Sequence, residues 1–276
     1  MSKVDRTPAS GAAPSAQPAP ASGVAAGTGA APAGSRVLAQ TGFEIAAILR
    51  NGEQLLVSII LPAIILIGLA TTPILSALGA DLGGRPAVDV ATAGVLSLAL
   101  GSSAFTGQAI ATAFDRRYGV LRQLATTPLG VRGLIAGKFI AVAAVVVIQY
   151  ALIGILAWIL GASGGVHILS LALTAGLGTA MFLVWGLVMA GTIRAEATLA
   201  LANLLWVLMA AAGGLLLAPP GMWGAIVSWL PSGALGEAMR TAVLSGGIDP
   251  LALAVMAGWT LMGIVTGVRF FSFDAR

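Results

Sequence analysis

Cysteine is absent from the 276-residue sequence, histidine occurs once (His167), and only 9% of residues are charged. Without cysteine there are no disulfides, thiolate metal sites or cysteine nucleophiles, and one imidazole excludes any site that needs two. No metal site is therefore expected. The scarcity of charge says more, because soluble domains carry about 25% charged residues. The chain is instead 58% hydrophobic, with a mean hydropathy of +0.99. These values exclude a soluble class, and the expected fold is an all-α integral membrane protein. A helix needs roughly 20 residues, at about 1.5 Å each, to cross about 30 Å of hydrocarbon, so the length accommodates about six spans in one bundle. The isoelectric point near 10.3 could point to nucleic acid. The basic residues, however, follow loop position in a hydrophobic chain, so membrane lipids are the expected neighbours and nucleic acid is not an expected partner.

Residues 1–35 are dominated by Ala, Pro, Gly and Ser without apolar periodicity, which predicts a disordered tail. No apolar core follows Lys3 and Arg6, so the tail does not read as a cleaved signal peptide. Over 36–54, Leu38, Ile45, Ile48 and Leu49 recur at helical spacing while Arg36, Gln40, Glu44 and Asn51 fall on another side. This predicts an amphipathic helix carrying Glu44 and Arg50, either lying in the membrane interface or forming the frayed start of the first span. A six-helix membrane domain is expected over 55–270, with spans near 55–75, 90–114, 133–160, 168–193, 197–217 and 250–269. Residues 271–276 form a short tail. The second span is interspersed with Ser102, Ser103, Thr106 and Gln108, which suits a helix inside a bundle and away from lipid. Between the fifth and sixth spans, 218–249 is too polar and broken to cross and is expected as an outer re-entrant segment. Of the fourteen basic residues, all except Arg85 and Arg240 fall on one side of this topology, which predicts both termini in the cytoplasm. Trp158, Trp223, Trp229 and Trp259 sit near the proposed outer ends, whereas Trp185 and Trp206 do not fit that belt.

The sequence offers two catalytic decoys. Ser163, in Gly161-Ala162-Ser163-Gly164, resembles the serine turn of intramembrane proteases, but His167 lies four residues on in the same loop and not on a facing helix. Gly133 to Phe139 imitates a phosphate-binding loop, with three residues between glycines instead of four and Phe139 where Ser or Thr would hold magnesium. The chain is therefore expected to bind no nucleotide, no other cofactor and to be no enzyme. Its carboxylates, from Glu44 to Asp274, fall outside the spans or at their ends. Proton- or sodium-coupled carriers usually keep ionisable groups at mid-membrane depth, so this chain reads as driven from outside itself. Gln108, Gln149 and Asn203 are the polar groups deepest in the spans, either as interhelical hydrogen-bonding groups or as pathway contacts.

The most distinctive stretch is a basic, turn-rich island from Ala113 to Lys138 between two apolar runs. Its Asp115-Arg116-Arg117-Tyr118-Gly119-Val120-Leu121, followed by Leu124, Pro128-Leu129 and Gly137-Lys138, resembles the signature after the second span of type-2 ATP-binding-cassette permeases. These are the membrane subunits of exporters of drugs, polyketides, lipids and polysaccharides. Leu61-Pro62, Arg194-Ala195-Glu196, Leu230-Pro231 with Glu237 to Arg240, and Arg269 to Asp274 resemble further family features in the family's order. Arg117 and Tyr118 stand where Glu-Arg is commoner, and the long Ala-Pro tail is additional.

The resemblance implies a cytoplasmic coupling helix from about Asp115 to Ala125, ended before Thr127-Pro128 because residues preceding proline avoid the helical region. It would present Arg116, Arg117 and Arg122 to a cleft of a separate ATPase subunit, with Tyr118, Leu121 and Leu124 for packing. ATP and magnesium would be bound by two such ATPases per complex. A second permease subunit, identical or related, would complete the pathway, and Gly263 and Gly267 are candidates for close helix contact, between subunits or within one. The implied location is a bacterial inner membrane, and the implied cargo is hydrophobic or amphipathic. An ATP-independent carrier or channel and a non-transporting scaffold are the alternatives.

Overall fold

A computed structural model describes residues 31–80, 82–125 and 127–270, and among these every regular element is helical. The predicted tail 271–276 and most of the tail 1–35 lie outside the described residues. Helix α1 (Ala33–Arg50) starts three residues before the predicted boundary, behind Pro32, and ends with Arg50 in its last turn, where a cation offsets the helix dipole. A turn, Gly52–Leu55, runs directly into α2 (Leu56–Thr71). That helix stops earlier than predicted because Thr72, preceding Pro73, is extended.

Four helices are long and apolar enough to cross a membrane: α3 (Ala87–Arg117), α5 (Gly130–Ile159), α6 (Ile168–Thr192) and α10 (Pro250–Phe270). This is the makeup of an integral membrane protein. Two shorter apolar helices, α2 and α7 (Ala195–Ala211), occupy the first and fifth predicted spans. Between α3 and α5 lies α4 (Val120–Ala125), and before α10 come α8 (Gly221–Val227) and α9 (Pro231–Arg240).

Helix α3 is the axis of the fold. Its most apolar 18-residue window is entirely buried, although it is the least hydrophobic of the four. Its small and hydroxylated residues let α2, α5, α6, α7 and α9 pack around it, with Leu98, Leu100, Met181, Leu235 and Met239 fully enclosed. The other long helices turn large apolar side chains outward, Val147, Ile155 and Val265 among them. In a bilayer that outward face meets lipid at no hydrophobic cost. Trp206 and Trp185 are explained by the interior: their indole N–H groups donate to the carbonyls of Leu98 (3.3 Å) and Trp259 (3.0 Å). Gly263 lies against Val184 and Trp185 of α6, so its missing side chain serves packing within this chain.

The two ends of the bundle differ in charge. At one end Arg85 donates to Leu244 O, Arg240 pairs with Glu237 (3.0 Å), and Asp89 accepts from Ser163 N (3.1 Å) and Oγ (3.4 Å). Ser163 is thus committed to Asp89, while His167 Nδ1 shares a hydrogen bond with Ser170 (3.2 Å). The segment 218–249 folds at this end as α8, α9 and a wide π-type turn, with most of α9 buried and packed against α3, α6 and α10. The opposite end gathers α1, α4, the end of α3, the start of α5 and the α6–α7 turn.

Candidate functional site at the basic end of the bundle

The predicted single helix from Asp115 to Ala125 is two pieces. Helix α3 continues through Arg117, the chain then turns at Gly119 with φ +78°, and α4 begins at Val120. A left-handed φ costs a residue with a side chain roughly 1–2 kcal/mol, which is why glycine belongs there. The turn separates the arginines. Arg116 is 7% exposed and faces the bundle, where its guanidinium donates to Gly191 O and to Ile193 O (2.7 Å). These carbonyls end α6 and have no partner within it, so Arg116 caps that helix and is not displayed to an acceptor.

Arg117 pairs with Glu196, in the first turn of α7, and lies 5.9 Å from the Tyr118 ring centre. Both partners of that pair are well exposed, so it contributes little energy. Tyr118 is 71% exposed and stacks on Phe114. Leu121 is buried and anchors α4, Leu124 is half-buried, and Arg122 is exposed. Pro128 O accepts from Arg36, tying the far side of the elbow to α1.

Beneath the elbow is a cluster that the sequence did not reveal. Lys138, 1% exposed, lies within hydrogen-bonding distance of both Glu44 carboxylate oxygens (2.8 and 3.0 Å) and 3.7 Å from Asp115. Gln40 donates to Glu44 Oε1 at 2.8 Å. The contact depends on Gly137, where an added Cβ would fall 2.7 Å from Gln40 Cγ. The stretch that imitated a phosphate loop is thus the interior of helix α5, its glycines facing α1 and its lysine neutralised by two carboxylates. The polar face of the amphipathic helix, Gln40, Thr41 and Glu44, packs inward, while Leu38, Phe43 and Leu49 are exposed; Arg50 is also exposed. Two signals pointed this way: a lysine inside an apolar run needs a partner, and a surface helix with its acid one turn from Gln40 offers one.

The deeper polar residues separate as well. Gln149 is fully buried and donates to Ser58 O (2.8 Å) and Ser103 Oγ (2.6 Å). Ser58 and Ser103 both lie in π-type turns, Leu56–Ile60 and Gly101–Gly107, where the widened backbone leaves irregular carbonyls to satisfy. Gln149 therefore joins α2, α3 and α5. Gln108 is buried, with no partner for its Oε1. Asn203 is exposed on α7 and donates only to Leu199 O, one turn back. It borders a cavity of about 370 Å³ that is also lined by Asn51, Gln54, Ser102, Thr106 and Asp115. Among the described residues no cluster of His, Asp and Glu could hold a metal ion. What this end of the bundle presents is an elbow tied to α1, α6 and α7, with a polar-edged cavity beside it. No protein-family model matches this chain, and no curated protein matches it.

Proposed function

We propose that this chain is the membrane-spanning permease subunit of an ATP-binding-cassette exporter, driven by ATP hydrolysis on separate ATPase subunits. One observation carries the reading. The elbow between α3 and α5 is fastened to α1, α6 and α7 through Arg36, Arg116 and Arg117, while Tyr118 and Arg122 remain exposed on its outer side. A push on that outer side is passed to helix ends and not absorbed by a loose loop. The sequence resemblance supplies the kind of motor.

In this reading the chain crosses six times. The turn Gly52–Leu55 and α2 together reach about 30 Å, and α7, at about 26 Å, is matched by modest thinning of the bilayer. The basic end faces the cytoplasm of a bacterial inner membrane. Two permease subunits and two ATPases make up the complex, and the cavity beside Asn203 lies on the route of a hydrophobic or amphipathic cargo. The alternative, an ATP-independent carrier, draws on one feature: Asp115 lines that cavity and also contacts Lys138.

The test uses a single cysteine in place of Tyr118, cross-linked in native membranes. The expected product joins this chain to a polypeptide that hydrolyses ATP, and Arg122→Glu lowers its yield at least severalfold. Purified chain that hydrolyses ATP alone, or that moves cargo in vesicles under a proton gradient without a partner, overturns the proposal.

A further inference from the structure

Near the basic end lies a second cavity of about 450 Å³, within the range of small-molecule sites and sharing no lining residue with the one beside Asn203. Its walls come from α5, α6 and α10, with Leu121 of α4 and Thr112 of α3 completing them. Val131, Ile135, Ile264 and Val268 line it and are themselves exposed, so the cavity is a cleft open sideways to whatever surrounds the helices. Three of its walls are helices long and apolar enough to cross a membrane. Along α5 it extends from Val131 to Lys138, about 10 Å at the helical rise.

The lining is apolar except for two groups. Lys138 is already paired with Glu44 and Asp115, so it is not a vacant anion site. Thr112 is 1% exposed, and its Oγ1 has no hydrogen-bond partner. A buried hydroxyl without a partner is unfavourable, and the cleft it lines is where an acceptor would relieve that cost. At the basic end of the cleft, Arg132 follows Val131 and Arg269 follows Val268, both of them exposed. Basic pockets between membrane helices favour anionic headgroups.

We propose that this cleft holds one anionic phospholipid: an acyl chain between α5 and α10, an ester carbonyl accepting from Thr112, and the phosphate beside Arg132 and Arg269. The site rests on the membrane character of the chain and not on its role in an exporter. Its occupant would brace α5 against α10 below the elbow.

Native mass spectrometry of the detergent-purified chain, mixed with phosphatidylglycerol or with phosphatidylcholine bearing the same acyl chains, tests it. One retained phosphatidylglycerol per chain is expected, preferred over phosphatidylcholine on the order of tenfold. Gly267→Leu fills the cleft from its floor, and Val268→Trp, at a position 86% exposed, blocks the mouth without entering the core. Each is expected to lower retention about tenfold. Thr112→Val weakens both lipids alike, and Arg132→Gln with Arg269→Gln removes the preference. Unchanged retention in both cleft variants, equal retention of the two lipids by the native chain, or a change only in oligomeric state, which marks the face as a contact between copies, overturns the proposal.

Discussion

Lys138 shows what one side chain does in this protein. It joins Glu44, 94 positions away, to Asp115 across the junction of three helices, and it is almost wholly removed from solvent. Removing one member of a buried ion cluster leaves the others charged and unpaired, at a cost of about 3–5 kcal/mol. Lys138→Met is therefore expected to lower the thermal midpoint in detergent substantially, and Glu44→Gln in the same chain is expected to recover part of the loss. A double variant no more stable than the single one contradicts the pairing. Gln149 is smaller in effect. Replacing it with Leu leaves Ser58 O and Ser103 Oγ without their donor, and polar contacts between membrane helices contribute about 1–2 kcal/mol at most. The expected change in the unfolding free energy, read from denaturation in mixed micelles, lies in that range.

Helices here are positioned by close contacts as much as by hydrophobicity. Helix α1 lies on α5 with its polar face inward because Gly137 leaves room for Gln40, and its apolar residues Leu38, Phe43 and Leu49 then face outward. Gly137→Val would force the two helices apart at a cost of about 1–3 kcal/mol. The expected readout is faster proteolysis of α1 in purified protein, with α5 still protected. Cleavage rates equal to those of the native chain would mean that α1 does not depend on this contact. The π-type turn over Gly101–Gly107 has a comparable influence. It resets the helical phase of the residues that follow, so that Arg116 meets the end of α6 while Arg117 meets α7.

Across the whole molecule, charge and burial divide the bundle into a basic end with an elbow and an opposite end with Arg85 and Arg240. The native sequence has no cysteine, so single cysteines report sidedness without a background. Cysteine at Tyr118 and at Trp223, both exposed, should react with an impermeant maleimide from opposite sides of sealed vesicles. Labelling of both from the same side would overturn the six-span topology and the coupling elbow with it.

Composition and hydropathy alone determined the helical membrane class, the approximate places of the apolar helices, the interior position of the polar-flecked α3 and the amphipathic character of α1. Those properties follow from the bilayer as solvent, which selects on length and polarity without regard to partners. Two helix ends were missed although a Pro or Gly marks them: the first span was carried past Thr72-Pro73 and the elbow helix through Gly119. Only the tertiary structure decided which way Arg116 points, that the imitation phosphate loop is a packing surface, and that Glu44 and Lys138 meet. Such contacts depend on how far each helix is rotated about its own axis, and a π-type turn or a glycine contact distant in sequence changes that rotation with no local mark on the residues that finally touch.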